Sequence, residues 1–543
     1  MSQSDVFEAP GSDDEELPPR TTAMSLARAG IVVSGAYLVA RVLGYVRVVV
    51  IGTTFGAGSD LDAFFAAFRI PDLIFQLVAA GAVASAVVPI VGGLLATGES
   101  GRAWRVVSTL VNLMLVGLLV LAVGAFVWAP ELVRAITPGF TDPVLAKTVE
   151  LTRIMLASPI LLALGAVATS TLNADRRFAA SAVAPIVYNL AIIGAAVLLS
   201  DSMGVTGLAL GVVAGSLGLL AVQVPPLWRA GFRFTPRIDL ADEQARRLLA
   251  LIGPRVLGMS ASQITMVVMT SLATGVGLGA VSAFTIAFAL YQIPMGVIGI
   301  PLGIVIFPSL SRELAVGRTD NYLELVSRSL RILLFVMLPI AAIGIALRLQ
   351  VVELLLGYGR FDATAVQLTA DTLLPFLLGL AGHATIGVLA RAFYAKQDTR
   401  TPVATANLAV VINTALGIAL VGRFGLPALG LAIAIAAWCE ALALLVVLRR
   451  REPGLDVAGI VSVGVRSLVA AVAAAVVALV TAQLLAGLVP ADPGKVFVLV
   501  QAALASLLGG LAFAGAALLL RIPEVRSLAA ILGGLIRRKA KIG

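Results

Sequence analysis

Four ionisable residues stand inside or beside apolar stretches long enough to cross a bilayer: Arg41, Arg47, Asp62 and Arg255. A charge at mid-bilayer costs at least ~2.5–3.5 kcal/mol on insertion scales, so each must face a cavity, a partner or an interface. Arg41 lies near the middle of an apolar run over 29–52, and Arg47 follows about 9 Å further along the same helix. Their helical angles differ by about 120°, so both face one space only if that space is broad. Asp62 follows the turn Gly56-Ala57-Gly58, and Arg255 sits a few turns into a run over 248–273. Arginine suits an anion, because its planar fork grips phosphate bidentately and never deprotonates. The set reads as an electropositive cavity for an anionic headgroup. The plainer reading is interhelical bonding or snorkelling, and for Asp62 a simple pairing with an arginine.

The elements that carry these residues follow from composition. The chain has 543 residues, 59% hydrophobic and 13% charged, with a mean hydropathy of +1.03. Soluble domains carry about a quarter charged residues, so a soluble globular enzyme, a disordered chain and a coiled coil are all excluded. Recurring apolar runs give an all-α polytopic membrane protein of about fourteen transmembrane helices. The spans lie near 29–52, 72–96, 105–129, 148–171, 178–200, 204–227, 248–273, 281–310, 329–350, 368–394, 402–421, 426–448, 461–486 and 496–520. Pro89 interrupts the second span; Pro294, Pro301 and Pro308 interrupt the eighth. Proline frees a backbone carbonyl that protein or water must cover, so these spans are expected to line something wet.

The balance of 39 basic against 30 acidic residues gives +9. Basic cytoplasmic loops explain it better than nucleic acid does. With the N-terminus inside, the inner loops collect Arg102 and Arg105, Arg176 and Arg177, Arg229 to Arg247, Arg312, Arg318 and Arg328, Arg391 to Arg400, and Arg449 to Arg451. The outer loops hold only Arg69, Arg134, Lys147, Arg360, Arg423 and Lys495. Both termini are therefore expected in the cytoplasm, in a multi-pass protein of the cell membrane. Residues 1–24 read as an acidic disordered tail, 229–247 as a basic cytoplasmic linker and 524–543 as a basic tail.

The chain also repeats itself. Arg41-Val-Leu-Gly44 recurs at Arg255-Val-Leu-Gly258, Ala63-Phe64 with Phe68 at Ala283-Phe284 with Phe288, and Pro89 at Pro308. The offsets are 214, 220 and 219 residues. Six spans fit between the copies, which preserves direction and gives a parallel repeat. Two pseudo-symmetric six-helix lobes follow, over 25–228 and 248–450, with a substrate site between them. The last two helices, over 451–523, lie outside the repeat.

Other charges read as structural. Glu150 and Arg153 stand three apart and are expected to pair on one helix face. Glu440 reads as a group that hydrogen-bonds across helices, with a proton or cation carrier as the alternative; the lone His383 reads as a satisfied core group rather than a switch, and Arg348 and Arg466 as snorkelling residues. One His and one Cys build neither a metal site nor a nucleophile pair, and no phosphate-binding Walker loop is present. A non-enzymatic protein without cofactor or metal is expected.

The stretch Arg41-Val-Leu-Gly-Tyr-Val-Arg47, Phe55-Gly-Ala-Gly58, Asp62-Ala-Phe-Phe65, Phe68-Arg-Ile-Pro71 and 81–89 resembles the start of the MurJ (MviN) family. Further matches follow in family order, from Leu172-Asn173 through Phe307-Pro-Ser-Leu-Ser311 and Tyr358-Gly-Arg-Phe361 to Thr401-Pro402, and cover roughly 25–450. These are lipid II flippases of the multidrug/oligosaccharidyl-lipid/polysaccharide exporter superfamily. The resemblance implies two lobes, a central cationic cavity, and a groove near the last two helices for a polyprenyl tail. It implies lipid II as cargo, moved to the outer leaflet by alternating access. It places substrate-binding roles on Arg41, Arg47 and Asp62. As aligned, three charges the family expects fall on Phe75, Ala80 and Ala289, and Arg255 is the expected compensation. No acidic residue in span seven supports sodium coupling, which leaves membrane potential or protons. Alternatives are a flippase for another polyprenyl-linked glycan, a drug exporter of the superfamily, or a non-transporting scaffold of cell-wall synthesis.

Overall fold

A computed structural model describes residues 20–78, 82–488 and 494–525; within its helices the side chains at 20–34, 77–78, 82, 84–85 and 251–262 lie outside the description. The acidic tail expected over 1–24 therefore falls mostly outside, as do Ala80, the Arg255 side chain and residues 526–543 of the basic tail. Every regular element among the described residues is a helix. That is what a lipid environment demands, since a helix satisfies its own backbone polar groups. Large apolar side chains stay exposed along the spans, among them Leu119, Val120 and Val123 on helix Ser100–Val127 and Leu468, Val472 and Val476 on helix Val457–Ala486.

Eleven helices are long and apolar enough to cross a membrane, and a bent pair makes a twelfth. That pair is Ala363–Leu378 and Leu380–Ala395, which meet at 41°. The expected second and seventh spans contribute shorter apolar helices among the described residues, Ala86–Ala96 and Gln263–Thr274. Span four divides into Asp142–Met155 and Ala157–Ala174. Span eight behaves as its prolines demand: after helix Ala280–Pro294 comes a π-helical turn, Met295–Gly299, and then helix Ile300–Ala315. A π-turn inside a helix often marks a functional position.

Three expectations need correction. The first helix starts at Arg20, inside the stretch read as tail. Helix Glu243–Thr274 begins inside the stretch read as linker, because the Asp242 carboxylate accepts from the backbone N–H groups of Gln244 and Ala245 and caps it. The Glu150–Arg153 pair does not form: Lys147 takes Glu150 at 3.2 Å, while Arg153 donates to the Phe126 carbonyl and stacks on its ring.

The largest apolar core draws on both halves of the chain, with Ile51, Leu61 and Phe64 beside Phe284, Ile286 and Phe376. A second core, with Val87, Leu110 and Val167, belongs to the first half but also takes Ala245 and Leu248. The last two helices attach through Thr319–Ala346, where Phe335 packs on Phe513 at 5.0 Å.

Candidate functional site

The two ends of the bundle differ. One end carries the arginine-rich loops around 97–102, 175–177, 230–242 and 396–399. There the Asn112 amide donates to the Thr235 and Arg237 carbonyls, and Arg102 pairs with Asp242 at 2.7 Å, so the linker lies strapped on helix Ser100–Val127. The bond from Arg102 holds the Asp242 carboxyl below its ordinary range.

At the far end the two halves of the chain meet through buried polar bonds. Asp62, 2% exposed, accepts from the Gly279 N–H at 2.7 Å and from the Ser282 N–H and hydroxyl at 2.8 and 2.6 Å. It thus caps helix Ala280–Pro294, which belongs to the other half, and a carboxylate suits the positive end of a helix. Its two oxygens are occupied within the protein. Gly56 and Gly279 both hold φ in the left-handed region, and a Cβ there would run into the Arg360 and Ala57 carbonyls, so only glycine permits this approach. The Arg360 N–H donates to the Thr53 carbonyl at 2.9 Å. Arg69, which sequence spacing assigns to a loop, is half-buried here; it donates to the Thr270 and Thr285 hydroxyls at 2.8 and 3.3 Å, across the same seam.

Away from this seam, the first helix (Arg20–Phe55) crosses the π-turn of span eight. The Arg41 guanidinium lies directly against Gly296, where a methyl group would overlap it. One turn further, the Tyr45 hydroxyl donates to the Gln292 carbonyl at 3.3 Å. Arg47 points elsewhere, over the Tyr188 ring at 5.6 Å. Asn189, beside that ring, donates to the Ala40 carbonyl at 3.2 Å and ties the first helix to helix Phe178–Leu198. Among the described residues neither Arg41 nor Arg47 forms an ion pair. The structure thus keeps Arg41 and Arg47 on one helix, facing different neighbours, and sends Asp62 to the seam.

Of the positions where the family resemblance expects a charge, Phe75 packs on the first-half core. Ala289 lines an apolar crevice of about 260 Å³ with Val42, Tyr45 and Ile293. A much larger apolar groove, about 760 Å³, runs between helices Thr319–Ala346, Pro427–Arg451 and Val457–Ala486, lined by Leu334, Leu338, Trp438, Leu445, Leu468 and Val472 among others.

Comparison with known proteins agrees with this architecture. The family profile described as "Lipid II flippase MurJ" matches residues 51–492. A Burkholderia cenocepacia protein named "Lipid II flippase MurJ" is 32% identical over 436 residues, covering 79% of this chain and 84% of that protein. A Rhizobium tropici protein named "Probable lipid II flippase MurJ" is 33% identical over 437 residues, covering 79% and 82%. Among solved structures, "Lipid II flippase MurJ, inward closed conformation" superposes with a TM-score of 0.75 at 21% identity, covering 92% of this chain and all of that one. An inward-facing multidrug resistance MATE family transporter of the MOP superfamily gives 0.62 at 16% identity, covering 77% and 95%. The chain belongs to the lipid II flippase MurJ family.

Proposed function

We propose that this chain is a transporter that moves lipid II from the inner to the outer leaflet of the cytoplasmic membrane by alternating access. The family membership supplies the cargo. The observation that carries the mechanism is the Arg41 guanidinium, seated on the π-turn of span eight with no ion-pair partner among the described residues. The Arg41 side chain is exposed and unpaired, so its guanidinium is open to an anion, and a diphosphate supplies one that arginine grips in two-pronged fashion. Arg47, one and a half turns along, adds field from beside Tyr188. The arginine-rich end is the cytoplasmic one by charge, with both termini on that side. The two six-helix lobes then meet at the outer face, where Asp62 and Arg69 hold them closed, and substrate enters from the cytoplasm. The apolar groove against helix Val457–Ala486 takes the polyprenyl tail, which needs a long dry surface. Arg255 lies on the repeat partner of the first helix and adds a cation from the second lobe.

The test is lipid II exposure on the outer leaflet of cells depleted of their own flippase and supplied with this chain. Restored exposure is expected from the native chain and loss of at least about tenfold from Arg41→Ala at equal membrane abundance, the effect of losing one charge-assisted contact. Full exposure with Arg41→Ala overturns the cationic mechanism. No exposure with the native chain overturns the cargo, and points to another polyprenyl-linked glycan or to a scaffold.

A further inference from the structure

Span eight carries a second contact between a glycine and an arginine. Arg391 lies four residues before the end of helix Leu380–Ala395, near enough to Lys396 and Arg400 to read as a loop arginine by sequence. Its guanidinium is not in a loop. It lies against Gly303 of helix Ile300–Ala315, where a methyl group would overlap it, as one at Gly296 would overlap Arg41. Its Nη1 donates to the Gly387 carbonyl at 2.7 Å, which fixes the side chain along its own helix. Among the described residues that is the one acceptor for a group with five donors.

The neighbours of Arg391 behave differently. Lys396 pairs with Glu452, and Arg451 pairs with Asp398. Arg391 is half-buried and, like Arg41, forms no ion pair among the described residues; Glu440, on the adjacent helix, does not reach it. Gly296 and Gly303 are seven residues apart, about 10 Å along the helix. Two glycines on one broken helix thus seat two unpaired guanidinia, one from each half of the chain.

We propose that Arg391 is a second phosphate ligand, and that it and Arg41 together bridge the diphosphate of a polyprenyl-linked substrate on the glycine positions of span eight. This rests on the flippase reading above. Two linked phosphates have the length to engage both guanidinia at once, whereas a single phosphate engages one. The pair therefore selects diphosphate over monophosphate. It also replaces the charge that the family resemblance expects at Ala289, which here lines an apolar crevice.

The experiment measures binding of undecaprenyl diphosphate and undecaprenyl monophosphate to the purified full chain in nanodiscs. The native chain is expected to prefer the diphosphate by about tenfold or more, the worth of one charge-assisted hydrogen-bonded contact. Arg391→Ala is expected to bring the two ligands within about threefold of each other while monophosphate binding holds. Arg391→Lys keeps the charge but loses the fork, so it should retain part of the preference. Gly303→Ala, which unseats the side chain without removing it, should behave like Arg391→Ala. If Arg391→Ala and Gly303→Ala keep the native preference, the inference is overturned and the flippase reading stands. If the native chain binds neither ligand, both fall together.

Discussion

The far-end seam and the glycine positions of span eight treat charge in opposite ways. At the seam Asp62 and Arg69 are answered from within the protein. Asp62 has three donors from one helix terminus, and Arg69 has two hydroxyls from the other half. On span eight, Arg41 rests against a glycine with no carboxylate to meet it. At the seam the Asp62 carboxylate is buried and carries a desolvation cost, whereas Arg41, against span eight, is exposed. At the seam the bonds join two halves of the chain and hold one closure. On span eight Arg41 has no ion pair among the described residues, and the proposed function assigns it to an anionic substrate. Under the proposed function, charge satisfied internally marks structure, and charge left unpaired marks the substrate.

The sharpest way to break this comparison is to move Arg41 without deleting it. Gly296→Ala puts a methyl group where the guanidinium now lies. Export is expected to fall by about tenfold or more, since a contact misplaced by an ångström loses most of its effect. The double variant with Arg41→Ala should be no worse than Arg41→Ala alone, because both changes remove the same interaction. Additive losses would mean that Gly296 acts through the backbone of the π-turn instead.

Asp62→Ala probes the other region. It strands two N–H groups and a hydroxyl at the start of helix Ala280–Pro294, at a cost of about 3 kcal/mol. Thermal unfolding of the purified chain should show the loss. A cysteine placed at Ala57, in a chain whose own Cys439 is replaced, should label faster with an impermeant thiol reagent as the seam loosens. Unchanged labelling would show that the apolar core beneath, with Leu61 and Phe284, holds the closure by itself.

Much of this was legible in the residues. Apolar runs gave the spans, three prolines marked span eight as broken, and Arg41 stood out by depth alone. What stayed hidden depends on partners far away in the chain. The donor that meets Asp62 is 220 residues on, at the matching position of the internal repeat. Nothing in the residues near Asp62 separates a cap for another helix from a ligand for a substrate. Arg69 and Arg391 read as loop residues because helix ends are uncertain by a few positions. Gly296 and Gly303 look like any glycines of a membrane helix until the arginines resting on them are known. The Glu150–Arg153 pair failed for a local reason: Lys147, one turn earlier, competes for the same carboxylate, and the Phe126 carbonyl and ring offer Arg153 a better place.

The mildest test lies at the arginine-rich end, where charge is paired and exposed to solvent. Asp398 accepts from the Thr401 hydroxyl at 2.6 Å, from the Arg400 and Thr401 N–H groups, and from Arg451. The Thr401 hydroxyl is the chief cause that holds its carboxyl at about 2, with the Arg451 guanidinium assisting. A carboxyl depressed by folding stabilises fully above its ordinary value near 3.9 and loses that contribution as pH falls through about 2. Stability should thus be insensitive to Asp398 between pH 5 and 8, by the same relation, and decline only in stronger acid. Asp398→Asn should cost under about 1 kcal/mol at neutral pH, as exposed pairs do, and flatten that acid decline. Export should stay at the native level, because this charge already has its partner. If Asp398→Asn instead stops export as Arg41→Ala does, then pairing within the protein does not separate structural charges from transporting ones.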